Sequence, residues 1–166
     1  MGNHENFILC GEKKFKENVS RLLKENKFPN SVIITGEKGI GKKTAAAYIA
    51  ASLLCEDIKD GMPCGSCPSC RMVKKSGHPD FIKVAPSGKN GMYLLDSDLR
   101  PVISQAYIKP NQSKYKVVLI ADVDSNRPDT QNVLLKLVEE PPEYLVIIMT
   151  AKSREAFLKT ILSRVT

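Results

Sequence analysis

Two clusters in the sequence combine residue types and spacings that can do chemistry. The first is Gly36-Glu37-Lys38-Gly39-Ile40-Gly41-Lys42-Lys43-Thr44, which fits the GxxxxGK pattern of a P-loop. Gly36, Gly39 and Gly41 let backbone N–H groups turn inward around phosphate oxygens, and Lys42 adds a cation for the outer ones. The next position should hold a Ser or Thr that ligates magnesium. Lys43 stands there instead, with Thr44 one residue late. The second magnesium element, an acidic residue at the end of a buried strand, is also displaced: the run 116–120 leads into Ala121, with Asp122 and Asp124 following. Those aspartates fit either a catalytic role or the capping of the next turn. The sequence thus predicts a degenerate nucleotide site (Gly36, Gly39, Gly41, Lys42, Lys43, Thr44). ATP binding stays open there, while magnesium and hydrolysis are not expected.

The second cluster is Cys55, Cys64, Cys67 and Cys70, spaced C-x8-C-x2-C-x2-C with Gly, Pro and Ser between them for tight turns. Four thiolates complete a tetrahedral zinc shell and leave no open position, so a structural zinc is expected. Reduced or redox-active thiols and an iron–sulfur cluster are the other readings. The module 55–70 is too short for a core of its own, so metal would supply on the order of 10 kcal/mol of its folding free energy, and without zinc it should be disordered. Cys10 reads as an ordinary near-core cysteine, and His78-Pro79-Asp80 as a turn before a strand rather than a catalytic group.

The elements that position these clusters follow from hydrophobic periodicity. Residues 12–26 carry Phe15, Val19, Leu22 and Leu23 at helical spacing. Short β-branched runs at 31–35, 81–84, 116–120 and 145–149 read as strands, and the segments 44–54, 94–106, 130–138 and 153–162 as helices, with Pro101 expected to kink or delay the third of the five helices. Unalternating strands separated by helices imply a parallel sheet covered on both faces, an α/β fold. The 166 residues suit one domain with a small insert, and their 42% hydrophobic and 26% charged content is that of an ordinary globular protein. No run approaches a membrane span and the start lacks a secretory signal, so the cytoplasm is the expected compartment. In that compartment clustered cysteines read better as metal ligands than as crosslinks. The formal charge of +7 is compatible with nucleic acid or an acidic partner and equally with solvated lysine-rich faces.

GEKGIGKK, the Cys55 to Cys70 module, Gly77-His78-Pro79-Asp80, KVVLIADVDS, QNVLLKLVEEPP and LSRV occur together, in this order, from about residue 8 to the end. In that combination the chain resembles the clamp-loader subunits of bacterial DNA polymerase III, a branch of the AAA+ P-loop family. Motor subunits of the gamma/tau type resemble it but have an intact P-loop and an acidic pair after the next strand. Delta-prime subunits keep the fold and zinc module while their nucleotide site erodes, and Lys43 and Ala121 favour that branch. The resemblance implies a role in DNA replication, as a rigid member of a ring whose ATP-driven partners (gamma/tau, with delta) load a sliding clamp onto primed DNA. The family's Ser-Arg-Cys motif matches Ser163-Arg164-Val165, which implies that Arg164 is an arginine finger acting in trans. Thr150 is a weaker match to a nucleotide-sensing residue. The resemblance also implies that residues 1–166 are the N-terminal ATPase-like domain of a longer protein. The rival readings are a gamma/tau-type motor ATPase, an independent ATPase using Lys42 and Asp122, and a zinc-containing nucleic-acid-binding module with a vestigial P-loop.

Overall fold

The computed structural model describes residues 13–125 and 127–166, so Cys10 lies outside the described residues. The four β-branched runs form one parallel sheet, as strands buried on both faces must. These are β1 (Ser31–Thr35), β2 (Phe81–Val84), β3 (Lys116–Ile120) and β4 (Leu145–Ala151), in the order β1-β4-β3-β2. Successive residues of the two central strands feed opposite cores. Val117, Leu119, Val146 and Ile148 pack with helices α1 (Lys13–Lys24), α2 (Lys42–Leu54) and α3 (Pro68–Lys74). Val118, Ile120, Ile147 and Met149 pack with α4 (Arg100–Ala106), α5 (Pro128–Glu139) and α6 (Lys159–Leu162). Helix α2 is buried from Ala45 almost continuously to Leu54, the behaviour of a helix apolar all round. No helix among the described residues is long and apolar enough to cross a membrane.

The structure departs from the sequence reading in four places. The cysteine segment is not irregular throughout, because α3 begins at Pro68 and runs past it. Its cap is Cys67, whose sulfur accepts the Cys70 N–H, a use of cysteine that periodicity does not reveal. The helix expected over 94–106 begins as a π-helical turn, Leu95–Leu99, and becomes α-helical only at Arg100, with Pro101 in the first turn, where its missing N–H costs nothing. Strand β4 runs to Ala151, so Thr150 lies inside it. The helix expected over 153–162 is broken: Phe157 is extended and buried, and only Lys159–Leu162 is α-helical. Gln131 accounts for the break, since its amide donates to Ala156 O at 2.7 Å and its carbonyl accepts the Leu158 N–H at 2.8 Å. These are backbone groups that a continuous helix would have paired internally.

The last residue extends the sheet. The Ile33 N–H donates to Thr166 O at 2.8 Å and the Thr166 N–H to Ser31 O at 3.1 Å, so the chain after α6 lies along the outer edge of β1.

His78-Pro79-Asp80 is a buried polar junction. Asp80 is fully buried, and its carboxylate accepts the N–H groups of Asn111, Gln112 and Ser113, clamping the loop before β3 to the start of β2. Burial opposes ionisation of Asp80, but the three N–H donors outweigh it and hold the carboxyl below its ordinary range. Replacing Asp80 with Ala leaves three donors without an acceptor and is expected to cost about 3 kcal/mol or more in denaturant unfolding. Because the folded-state pKa is lowered, this contribution is present above the ordinary carboxylate range and fades as pH falls through the lowered value. A stability difference between the two proteins that shrinks on acidification checks it.

Candidate functional site

The P-loop opens directly from β1, and its first amide is tied to the neighbouring strand. The Gly36 N–H is shared between Ala151 O and Lys152 O, each at 3.2 Å. Gly39 (φ 87°) and Gly41 (φ 96°) adopt left-handed conformations that side chains resist, and Gly41 caps α2. The loop walls a cavity of about 750 Å³ with Asp122, Asp124 and Lys152 on its opposite rim. Lys42 folds over the loop, donating to Gly36 O at 2.5 Å and Glu37 O at 3.0 Å. The Ala45 N–H bonds Gly41 O at 2.9 Å, so the helix starts in regular register and Thr44 is not shifted into the position that Lys43 holds.

Lys43 reaches across the cavity. Its ammonium lies 2.7 Å from Asp122 Oδ2, with both side chains about half exposed. Asp122 is held in a left-handed conformation (φ 55°), and its N–H donates to Thr150 Oγ1 at 3.0 Å. Thr150 is fully buried, so its hydroxyl fixes the turn after β3. Asp124 Oδ1 accepts the backbone N–H of Lys152 at 2.6 Å, while the Lys152 ammonium lies 3.6 Å from Glu37. Ala121 is fully buried, and its carbonyl and that of Val84, 3.1 Å away, share the single proton of the Tyr93 hydroxyl. Burial is the main cause of a raised Tyr93 pKa, so this phenol stays protonated as a donor.

A divalent cation does not fit this arrangement. The position that should hold a ligating hydroxyl carries an ammonium, the position that should hold the carboxylate is Ala121, and the next residue, Asp122, is paired with that ammonium. At about 4 Å the repulsion between a divalent ion and an ammonium is on the order of 2 to 8 kcal/mol for effective dielectrics between water and the protein surface. The residues present do fit polyphosphate oxygens, which need N–H groups and cations and no acidic ligand.

The second cluster closes into a single set. The sulfurs of Cys55, Cys64, Cys67 and Cys70 all lie within 4.8 Å of one another, a grouping able to hold a metal ion. Backbone donors point at three of them: the Cys64 N–H at Cys55 Sγ (3.3 Å), the Cys67 N–H at Cys64 Sγ (3.3 Å) and the Cys70 N–H at Cys67 Sγ (3.4 Å). Burial pushes the Cys55 and Cys70 thiols up. Burial also opposes ionisation of Cys64, yet the Ser66 and Cys67 N–H groups and the Ser66 hydroxyl outweigh it and bring that thiol down to about 6. Four thiols this close, with donors already aimed at sulfur, are arranged for the deprotonated form that a bound cation stabilises.

A hydrogen-bonded chain joins this set to the sheet. Glu56 accepts both the Ser69 N–H (3.1 Å) and the Ser69 hydroxyl (2.7 Å) at one carboxylate oxygen. Ser69 Oγ is 3.1 Å from His78 Nε2, and His78 Nδ1 accepts the Asp80 N–H. Burial holds the imidazole pKa down, so the ring is neutral with its proton on Nε2.

The model of the family described as "DNA polymerase III, delta subunit" matches residues 11–166. The chain belongs to this clamp-loader family. Among curated proteins it is similar to the DNA polymerase III subunit gamma of Buchnera aphidicola subsp. Schizaphis graminum, with 31% identity over 156 residues, covering 94% of this chain and 42% of the relative. It is also similar to subunit tau/gamma of Haemophilus influenzae, with 30% identity over 94% of this chain and 22% of the relative. The chain thus spans less than half the length of these relatives. A gamma-subunit-related protein of Thermotoga maritima has the same fold, with TM-score 0.66 and 23% identity over 90% of this chain and 43% of that one. So does the Bacillus subtilis clamp-loader delta protein, with TM-score 0.51 and 10% identity over 89% of this chain and 39% of that one.

Within this clamp-loader chain the structure separates Arg164 from the P-loop. The P-loop and Asp122 follow the C-terminal ends of β1 and β3, whereas α5 leads back to the start of β4. Arg164 pairs with Glu139 at the end of α5, 2.9 Å away, and donates to Thr160 O at 2.8 Å and Ser163 Oγ at 3.1 Å. Two residues later Thr166 pairs with Ser31 at the start of β1. Arg164 is therefore displaced from its own P-loop by about one strand length, roughly 16 Å for five residues. Sequence reasoning missed Glu139, which it took as the mere end of a helix, along with Lys152, Tyr93 and the Glu56–Ser69 clasp. None of these carries a motif, and only tertiary contact reveals them.

The Thr150 hydroxyl has a clear consequence. Thr150→Val keeps the shape but leaves the Asp122 N–H without its acceptor, so a loss of about 1 to 2 kcal/mol is expected in urea unfolding.

Proposed function

We propose that the chain is a clamp-loader subunit of the delta-prime type. In this reading it acts in DNA replication beside ATP-driven gamma/tau subunits and delta, which open a sliding clamp and place it on primed DNA, and it does not hydrolyse ATP itself. The observation that carries the reading is the 2.7 Å contact of Lys43 with Asp122, which sets an ammonium where the P-loop needs a magnesium-binding hydroxyl and engages the carboxylate that follows Ala121. A second reading, a gamma/tau-type motor, is favoured by the names of the curated relatives. Lys43 and Ala121 weigh against it, because a motor needs the hydroxyl and the carboxylate that these positions lack.

Arg164 is the group this subunit would lend. Its place far from its own P-loop suits a residue that serves a neighbour, and its exposed pairing with Glu139 is weak enough to exchange for phosphate oxygens. In the assembled complex, Arg164→Ala is expected to lower ATP turnover at the adjoining motor site by about 10³-fold or more, with assembly unchanged. Unchanged turnover would remove the finger from the account.

Zinc is the proposed metal of the cysteine set, since four thiolates with no open ligand position suit a structural tetrahedral ion. Protein purified without oxygen should contain zinc in a one-to-one ratio. A chelator should release it together with reactive thiols and loss of α3 helicity, and Cys67→Ser should do the same. Clearly substoichiometric zinc would argue for redox thiols.

A further inference from the structure

The P-loop cavity holds more cationic side chains than Lys42, the P-loop lysine, alone. Lys42 and Lys43 come from the loop and first turn of α2, Lys38 from the loop itself, and Lys152 from the end of β4. Against them stand Glu37, Asp122 and Asp124. Asp124 is engaged by a backbone N–H, Glu37 is 3.6 Å from Lys152, and Asp122 is held by Lys43. Each of these carboxylates is thus engaged by an ammonium or a backbone N–H.

We infer that this cavity is a polyphosphate site that works without a divalent metal, with the Lys43 ammonium, braced by Asp122, standing where magnesium stands in the motor subunits. A magnesium ion in a P-loop bridges phosphate oxygens to a hydroxyl and a carboxylate. Lys43 spans the same two sides, anchored in α2 and resting on the carboxylate after β3. Its contact with Asp122 is half exposed and of the kind that contributes little stability, so the ammonium is free to share itself with an arriving anion. Lys42 behaves alike: it bonds two loop carbonyls, Gly36 O and Glu37 O, which phosphate oxygens can replace as partners. The regular start of α2 at Gly41 leaves the backbone N–H groups of the first turn facing the same space. The ligand class is a nucleoside di- or triphosphate in its metal-free, fully charged form. This inference deepens the reading of the P-loop given above and is independent of the role given to Arg164.

The test is calorimetric titration of the whole chain with ATP, and with inorganic tripolyphosphate to isolate the phosphate contribution, in EDTA and in excess magnesium. Both probes are expected to bind in EDTA at least as tightly as in magnesium, because magnesium lowers the anionic charge of the ligand and adds no contact. Lys43→Thr should weaken binding in EDTA by about tenfold and make magnesium strengthen it by about as much, since it removes a charge-assisted contact and restores the hydroxyl. Magnesium that tightens binding to the unaltered chain by about tenfold overturns the inference, as does the lack of any binding in EDTA. Equal behaviour of Lys43→Thr and the unaltered chain overturns the part given to Lys43. If the variant fails to fold, the comparison of EDTA with magnesium on the unaltered chain still decides. Failure here leaves the ring role standing, because that role is read from the ATP turnover of a partner subunit.

Discussion

Parallel pairing of β1, β4 and β3 is the constraint on which the rest of the structure depends. Thr35 lies opposite Ala151 and Ile120 opposite Met149, so the chain leaves these strands at one end of the sheet and must turn there three times, side by side. The P-loop, the Asp122 turn and the Lys152 segment are those turns. Their bonds to one another, from Gly36 to Ala151, Asp122 to Thr150 and Lys152 to Asp124, follow from that adjacency. A loop closed by backbone bonds on a buried sheet is rigid enough to keep its shape after its metal-binding side chains change. Loop shape and metal-binding side chains are thus separable: the first is set by main chain, and the second are what Lys43 and Ala121 replace.

The cysteine set is built on the opposite logic. Its segment has no core of its own, and the described order comes from sulfur-directed N–H groups, the Glu56–Ser69 clasp and the buried His78–Asp80 junction. Cys70 and Val73 also enter the core beneath α2, so the set is fastened to the same helix that starts the P-loop. A metal bound there would fix one end of α3 and, through His78, the entry into β2.

Much of this was legible in the sequence, for identifiable reasons. Strands β1, β2 and β3 begin and end where the sequence places them: Gly36 closes β1, Asp80 precedes β2 and Pro86 follows it within two residues, and β3 opens on Lys116 and is followed within two residues by Asp122. The P-loop and the cysteine spacing are local patterns whose geometry the backbone alone dictates. What escaped depends on partners distant in the chain. Helix α3 needs a sulfur cap, and the interruption at Phe157 needs the Gln131 amide from α5. Lys43 was visible as a departure from the pattern, but its partner was not, because Asp122 is brought to it by sheet order. Glu139, beside two prolines, looked like a helix end and is also the counter-ion of Arg164.

The two faces of the molecule divide its chemistry. At one end of the sheet is the P-loop with Lys43 paired to Asp122, and at the other is Arg164, paired with the exposed Glu139. The central claim is that Lys43 occupies the place of the metal. A crystal structure with ATP and manganese tests it most directly, because manganese is located by its anomalous signal. The account predicts triphosphate oxygens within hydrogen-bonding distance of Lys43 Nζ and no manganese beside Asp122. A manganese ion bridging Asp122 or Thr44 to the phosphates, with Lys43 swung away, would contradict it.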